Sequence, residues 1–332
     1  MKSILMGGAS VPFVYPAERL AVLQKEAGLL PGVLTKEQIL ENPAMTADAV
    51  CIFSTWGMPK FTEEEIRLCF PKLKAIFYAA GTVQAFAWEF LNCGVQIFSA
   101  WAANAVPVAE YTVAQIILAN KGFFQACRRE KDPESRRGAK LYHGSFPGNY
   151  GCKVGLIGAG MIGKLVLEML KPYRLDVYIS STSMTEEQAA VYGAKKATTR
   201  EIFANCQTIS NHVADLPATN GLFGMDLFSL MKPNATFINT GRGAQVVEED
   251  LIAVLKENPD MTAILDVTFP EPPVAGSDLY TLPNVFLTPH IAGSSGDERQ
   301  RMSAYMEDEF YRWRAGQPCK WEVTEKMLET MA

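Results

Sequence analysis

Three short patches set an arginine, a carboxylate and a histidine each just past an apolar run. The first, Phe237-Ile238-Asn239-Thr240-Gly241-Arg242-Gly243, ends in an arginine flanked by glycines. A planar guanidinium in that position can grip a carboxylate through parallel N–H bonds. The second, Ile264-Leu265-Asp266-Val267-Thr268-Phe269-Pro270-Glu271-Pro272-Pro273, carries two carboxylates in a segment stiffened by prolines. The third, Phe286-Leu287-Thr288-Pro289-His290-Ile291-Ala292-Gly293, contains one of only three histidines in 332 residues. Singly, each has a bland explanation: a solvated arginine, a loop-shaping Glu-Pro pair, a histidine that caps a helix. Jointly they set an anion anchor, a carboxylate and an imidazole at successive strand ends, which suits hydride and proton transfer at an alcohol or carbonyl.

A fourth patch indicates what would sit beside them. In residues 153–163 the apolar run Val154–Ile157 feeds Gly158-Ala159-Gly160-Met161-Ile162-Gly163, and Met161–Leu170 then keeps apolar side chains at helical spacing. A strand-to-helix turn with this glycine pattern holds a dinucleotide pyrophosphate. Gly158 permits the tight turn, Gly160 lets backbone approach phosphate, Gly163 lets helix pack on strand, and the helix N-terminus supplies N–H donors.

These patches need a scaffold, and the apolar pattern predicts one. Strand-like runs at Ile4–Met6, Val50–Phe53, Ala75–Tyr78 and Val95–Phe98 alternate with helix-like segments such as Ala17–Leu23 and Glu63–Phe70. A second series follows at Val154–Ile157, Val177–Ile179, Thr208–Ser210, Thr236–Ile238, Ala263–Leu265 and Val285–Leu287. The alternation predicts an α/β protein with two parallel-sheet domains, Rossmann-like or flavodoxin-like. Between the series, Ala105–Phe124 is expected as a connecting helix, and the stretches Arg128–Arg137 and Gly144–Gly151 as an exposed loop. Residues 297–315 again have helical spacing and are expected to return to the first domain. That domain, the substrate domain, is therefore discontinuous, 1–103 plus 295–332, and 104–294 form the dinucleotide-binding domain.

Composition narrows the partners. A net charge of −5 and an isoelectric point near 5.4 provide no basic field for nucleic acid or anionic lipid. Met1–Ser10 has one lysine and only a short apolar run, so the expectation is a cytoplasmic chain without a signal peptide or membrane segment. Seven scattered cysteines without a Cys-x-x-Cys pair read as ordinary thiols, and no metal site is expected.

The same patches make the chain resemble the D-isomer-specific 2-hydroxyacid dehydrogenases. The likeness runs from about Leu73 to Ser294 through Leu73–Ile76, Asn104–Glu110, the glycine motif, Met231–Gly243, Asp266–Glu271 and Leu282–His290. The intervals agree, with Arg242 to Glu271 spanning 29 residues and Asp266 to Glu271 spanning 5. The resemblance implies that Arg242 anchors the substrate carboxylate, that His290 is the general acid/base, and that Glu271 hydrogen-bonds it. A neighbouring carboxylate orients an imidazole and stabilises its protonated form.

The cofactor side implied by the family comprises Gly158, Ala159, Gly160, Met161, Ile162, Gly163, Ser181, His212, Thr240, Gly241, Arg242, Asp266 and His290. Asp266 also reads as a satisfied strand-end carboxylate, and His212 as a residue that merely lines the cleft. The substrate side comprises backbone amides of Ala80, Gly81 and Thr82, with Trp56 and Arg242. The family's usual second glycine is absent from that loop, and Gln84 stands where an acid is usual.

In Ser54-Thr55-Trp56-Gly57-Met58 there is no basic residue of the kind phosphate-using relatives offer, so a small or apolar tail without phosphate is expected. Ser181 stands where an acid for the ribose 2′-hydroxyl would be, and residues 180–187 hold no Arg or Lys to receive a 2′-phosphate. Either NAD or NADP fits, with a lean to NAD. The family implies a homodimer, with the active site in the cleft between the domains. A non-catalytic, NAD-sensing corepressor-like protein on the same fold is the alternative; retention of Arg242, Glu271 and His290 disfavours it. Formate dehydrogenase, which pairs its histidine with Gln, is disfavoured by Glu271.

Overall fold

The computed structural model describes residues 1–328. Thirteen strands occur along them: β1 Ser3–Met6, β2 Leu29–Val33, β3 Cys51–Ser54, β4 Ala75–Tyr78, β5 Gln96–Ser99, β6 Tyr150–Ile157, β7 Arg174–Ser180, β8 Ala194–Lys196, β9 Thr208–Asn211, β10 Thr236–Asn239, β11 Thr262–Leu265, β12 Val285–Leu287 and β13 Glu322–Val323. They form two sheets, ordered β13-β5-β4-β3-β1-β2 and β12-β11-β10-β9-β6-β7-β8. Only β13 runs antiparallel to its neighbour. The chain divides into two compact units, Met1–Asn104 with the segment from Ser294 onward, and Ala105–Gly293.

In the first unit the central strands β1, β3 and β4 are buried on both faces, as a parallel sheet requires. Register puts Ile4, Ile52, Ile76 and Ile97 in one rung and Leu5, Phe53, Phe77 and Phe98 in the next. Successive side chains point to opposite faces, so the isoleucines enter one core cluster and the phenylalanines the other. Phe77 stacks on Phe53 and Phe98 at 5.3 and 5.0 Å, and Phe310 from the helix Gln300–Arg314 meets Phe77 edge-on at 5.6 Å. The late helix therefore completes the core of the early sheet.

In the second unit the strand order reverses between β6 and β9, the topological switch point at which open α/β sheets bind ligands. Ile209, Phe237 and Ala263 feed one core face, and Leu156, Ile179, Ile238 and Ile264 the other. The helix Trp101–Asn120 is long and apolar enough by length and composition to cross a membrane. Its Ala109, Ile116 and Ala119 pack in this unit's core, which accounts for the apolar character.

The structure corrects some expectations. The connecting helix expected at Ala105–Phe124 is the helix Trp101–Asn120, and the stretch Arg128–Arg137 expected as exposed loop overlaps two further helices, Phe123–Arg129 and Ser135–His143. Their many charges lie on solvated faces, while Phe124 of the first and Ala139 of the second are buried. Ser135 Oγ accepts from the amides of Lys131 and Asp132, and Asp132 accepts from Ser135 N, which fixes where the second helix begins. Strands β2, β8 and β13, absent from the sequence reading, all add at sheet edges.

Candidate active site

The second unit carries the glycine turn. Gly158 has φ of +97°, and a Cβ there would lie 2.4 Å from the His212 carbonyl oxygen. A Cβ on Gly163 would lie 2.2 Å from the carbonyl of Gly158, so helix and strand meet only because neither residue has a side chain. Gly160 differs: a Cβ there would meet nothing within 4 Å. It caps the helix Met161–Leu170 with no side-chain hydrogen bond, leaving first-turn N–H groups beside open space. That cradle fits a dinucleotide pyrophosphate. Ala159 is buried, Ile162 half-buried, and Met161 exposed.

At the end of β7, Ser181 Oγ lies 3.1 Å from Ser183 Oγ and accepts from Ser183 N at 3.2 Å. No carboxylate stands at this strand end. Asp176, at its start, is held by Lys195 Nζ at 2.6 Å and by the Tyr178 hydroxyl at 2.9 Å.

His212 forms the wall behind the glycines. Its amide donates to Ile157 O at 2.7 Å, and Nε2 lies 3.0 Å from Ser210 Oγ. Nδ1 is buried and has no partner among the described residues. Burial pushes its pKa down from 6.5 to about 4, so the ring is neutral near pH 7.

The three chemical patches lie past β10, β11 and β12, which are neighbours in register: Asn239 aligns with Leu265, and Leu265 with Leu287. The turns touch, since a Cβ on Gly243 would overlap Thr268 backbone at 2.0 Å. Thr240 Oγ1 lies 3.4 Å from Thr112 Oγ1, and a Cβ on Gly241 would lie 2.6 Å from Asn211 Nδ2.

Arg242 is fixed mostly through its backbone: its amide donates to Gln245 Oε1 at 3.2 Å and its carbonyl accepts from Asn239 Nδ2 at 3.1 Å. Its Nη1 donates to Gly241 O at 2.9 Å, and Nε lies 3.4 Å from Asp215 Oδ2.

Glu271 and His290 come together, with Oε1 and Nδ1 2.7 Å apart and both side chains partly solvated. His290 has φ of 56°, a left-handed conformation uncommon for non-glycine residues. Asp266 accounts for it. Buried to 3% exposure, its carboxylate accepts from Thr288 Oγ1 at 2.7 Å, Ile291 N at 2.7 Å and Ala292 N at 2.9 Å, and its carbonyl accepts from His290 N at 3.1 Å. Asp266 is thus the satisfied strand-end carboxylate that clamps the histidine turn.

In the first unit, Ala80 is wholly buried, and Ser99 Oγ donates to its carbonyl at 3.0 Å. Among the described residues, the backbone N–H groups of Gly81 and Thr82 have no hydrogen-bond partner. Trp56 is half-buried against both core clusters of this unit, and its carbonyl accepts from Gly8 N at 2.7 Å. Met58, two residues on in the same segment, is buried in the core, where its sulfur lies 3.1 Å from Ser54 Oγ.

Sequence reasoning missed Asn211, Asn239, Gln245 and Asp215. Asn211 Nδ2 donates to Asn239 Oδ1 at 2.9 Å and Gln245 Oε1 at 2.6 Å, and all three amides are fully buried. The only sequence signal was amide residues at the ends of two predicted strands. Among the described residues no group of three His, Cys, Asp or Glu could hold a metal.

The family described as D-isomer specific 2-hydroxyacid dehydrogenase, NAD binding domain, matches residues 114–292. Human glyoxylate reductase/hydroxypyruvate reductase is 34% identical over 171 residues, 51% of this chain and 52% of that protein. D-3-phosphoglycerate dehydrogenase of Methanocaldococcus jannaschii is 31% identical over 274 residues, 81% of this chain and 49% of that protein. Formate dehydrogenase of Neurospora crassa is 30% identical over 269 residues, 77% of this chain and 71% of that protein. The chain therefore spans about half the length of the first two relatives. Among solved structures, apo D-mandelate dehydrogenase of Rhodotorula graminis superposes with a TM-score of 0.80 at 21% identity, covering 98% of this chain and 97% of that one, a likeness of fold. The chain belongs to the D-isomer specific 2-hydroxyacid dehydrogenase family, and its second unit is the family's NAD-binding domain.

Proposed function

We propose that this chain is a nicotinamide-dependent oxidoreductase interconverting a 2-keto acid and the corresponding D-2-hydroxy acid. The observation that carries the reading is the 2.7 Å contact of His290 Nδ1 with Glu271 Oε1, past β12 and β11, the two strands that follow in sheet order from β10, which leads to Arg242. When bound, the nicotinamide supplies or accepts the hydride at the substrate's second carbon.

The chain's own residues do the rest. Arg242 holds the substrate carboxylate and polarises the adjacent oxygen. His290, whose Nδ1 is engaged by Glu271, presents Nε2 to the 2-oxygen. It donates a proton there in reduction and removes the hydroxyl proton in oxidation. Glu271 orients the ring and stabilises its protonated form. The Gly81 and Thr82 amides and Trp56 are read as substrate-side residues, as the family pattern implies.

The substrate is a keto acid with a neutral tail, supported by the absence of Arg and Lys from residues 54–58. The cofactor lean is to NAD: Ser181 removes an acid that would repel a 2′-phosphate, yet no nearby arginine is supplied to grip one. A homodimer belongs to the same reading, supported by Leu141 and Tyr150, which are 72% and 76% exposed in the second unit.

The test is a panel of 2-keto acids with NADH and with NADPH at equal concentration, followed at the nicotinamide absorbance band. Turnover of pyruvate, phenylpyruvate or 4-methyl-2-oxopentanoate is expected. Preference for 3-phosphohydroxypyruvate would reject the neutral tail, and a strong NADPH preference would reject the lean to NAD. Cofactor binding without oxidation of any member would favour the corepressor-like alternative.

A further inference from the structure

Arg242 does not wait for a ligand alone. Its Nε lies 3.4 Å from Asp215 Oδ2, and Nη1 donates to Gly241 O at 2.9 Å. A guanidinium has five N–H donors, so among the described residues three, on Nη1 and Nη2, have no protein partner.

The meeting of Arg242 and Asp215 is built into the fold. The buried amide of Gln245 serves both backbones: Oε1 accepts from Arg242 N at 3.2 Å, and Nε2 donates to Val213 O at 3.1 Å and Ala214 O at 2.8 Å, directly before Asp215. Asn211 Oδ1 accepts from Val213 N at 3.0 Å, and Thr219 Oγ1 donates to Ala214 O at 2.9 Å, so the loop is held from several sides. The Arg242 and Asp215 side chains themselves remain 40% and 43% exposed. A pair so solvated contributes little to stability. Three wholly buried amides hold in register two residues whose ion pair the fold does not need for its own sake.

We propose that Asp215 is a resident carboxylate that sets the charge selectivity of the Arg242 anchor. This rests on the reading of Arg242 as the residue that binds the substrate carboxylate. Arginine and aspartate together carry no net charge, so a monocarboxylate brings the group to −1 and a dianion to −2. Once a first substrate carboxylate has neutralised the guanidinium, the second negative charge meets the Asp215 carboxylate at close range, where Coulomb repulsion persists even in a half-solvated turn. Asp215 thereby favours 2-keto acids with uncharged tails over dicarboxylic or phosphorylated ones. No charge on the substrate-side loops is required for this discrimination.

The test compares oxamate, a monoanion, with oxalate, a dianion of similar size. Binding of each to the enzyme–NADH complex is followed by nicotinamide fluorescence at constant ionic strength, in the wild type, Asp215→Asn and Asp215→Ala. Asn keeps an acceptor for Nε and removes only the charge. Asp215→Asn is expected to tighten oxalate about tenfold relative to oxamate, and Asp215→Ala to move the ratio the same way. The fluorescence of bound NADH itself reports that each variant is folded. An unchanged ratio in both variants overturns the proposal. So does a loss of both ligands in Asp215→Ala with Asp215→Asn like wild type, since that pattern means Asp215 only orients Arg242. If neither ligand binds the wild-type complex, Arg242 is not a carboxylate anchor, and the underlying reading fails first.

Discussion

The main-chain N–H of His290 donates to the carbonyl oxygen of Asp266 at 3.1 Å, in the turn that holds the histidine at φ of 56°. Backbone and carboxylate of one buried aspartate thus fix the imidazole from below, while Glu271 fixes it from the side. The two acids of one short segment divide the work of placing one ring.

The clamp predicts a large effect from a residue with no role in proton transfer. Asp266→Ala strips acceptors from Thr288 Oγ1, Ile291 N and Ala292 N in a buried place, costing about 3–5 kcal/mol of stability. Urea unfolding measures that cost, and kcat is expected to fall by more than about a hundredfold as the His290 turn loosens. A variant with wild-type stability would show that the carboxylate is dispensable to the turn.

Glu271 acts on the ring alone. Glu271→Gln keeps the geometry and loses the charge, so kcat should fall about ten- to a hundredfold with NADH affinity unchanged. His290→Ala should abolish nearly all turnover, again with NADH bound normally. Equal NADH losses in both variants would place these residues in cofactor binding instead.

The glycines separate into two kinds. Gly163→Ala forces a Cβ to 2.2 Å from the Gly158 carbonyl and should destabilise the fold by about 2 kcal/mol or more, read as a lowered Tm. Gly160→Ala meets nothing within 4 Å and has a backbone φ of −69° that alanine accepts, so Tm should hold. Its added methyl enters the space read as the pyrophosphate site, and NADH affinity should weaken severalfold. Unimpaired NADH binding in Gly160→Ala would move the pyrophosphate elsewhere.

His212 predicts a pH dependence. With a folded pKa of about 4 and an ordinary value of 6.5 when unfolded, the unfolded chain binds the extra proton between these limits. Its stabilising contribution is complete above pH 6.5 and is lost as pH falls toward 4, up to about 3 kcal/mol. Comparing wild type with His212→Gln by urea unfolding at pH 7 and pH 4.5 isolates this term from the carboxylates. A difference that is constant with pH would mean the imidazole is not held neutral.

The central strands of both sheets were legible because strands buried on both faces are built around apolar runs, as Ile52-Phe53 and Phe237-Ile238 are. The missed strands lie at edges, where that pressure lapses: Leu29–Val33 includes a proline and a glycine, and Ala194–Lys196 is two-thirds lysine. The Glu271–His290 contact was legible through resemblance in order and spacing. The amide cluster was not. Asn211 reaches Asn239 across 28 residues and Gln245 across 34, and only the pairing of β9 with β10 brings them together. Asp215 is hidden for the same reason, since nothing in its local sequence points to an arginine 27 residues later.

The aromatic rung of the first sheet also dictates an order of events during synthesis. When a ribosome has released the first hundred residues, Phe53, Phe77 and Phe98 are present, but their cover, Phe310, has not yet been translated. The nascent half-sheet must travel with part of one greasy face bare, the part that Met302, Met306 and Phe310 later cover, while the entire nucleotide-binding unit is made behind it. Chains cut short before the Gln300–Arg314 helix are therefore natural clients for chaperones, and that helix acts as the stopper for a sheet made long before it.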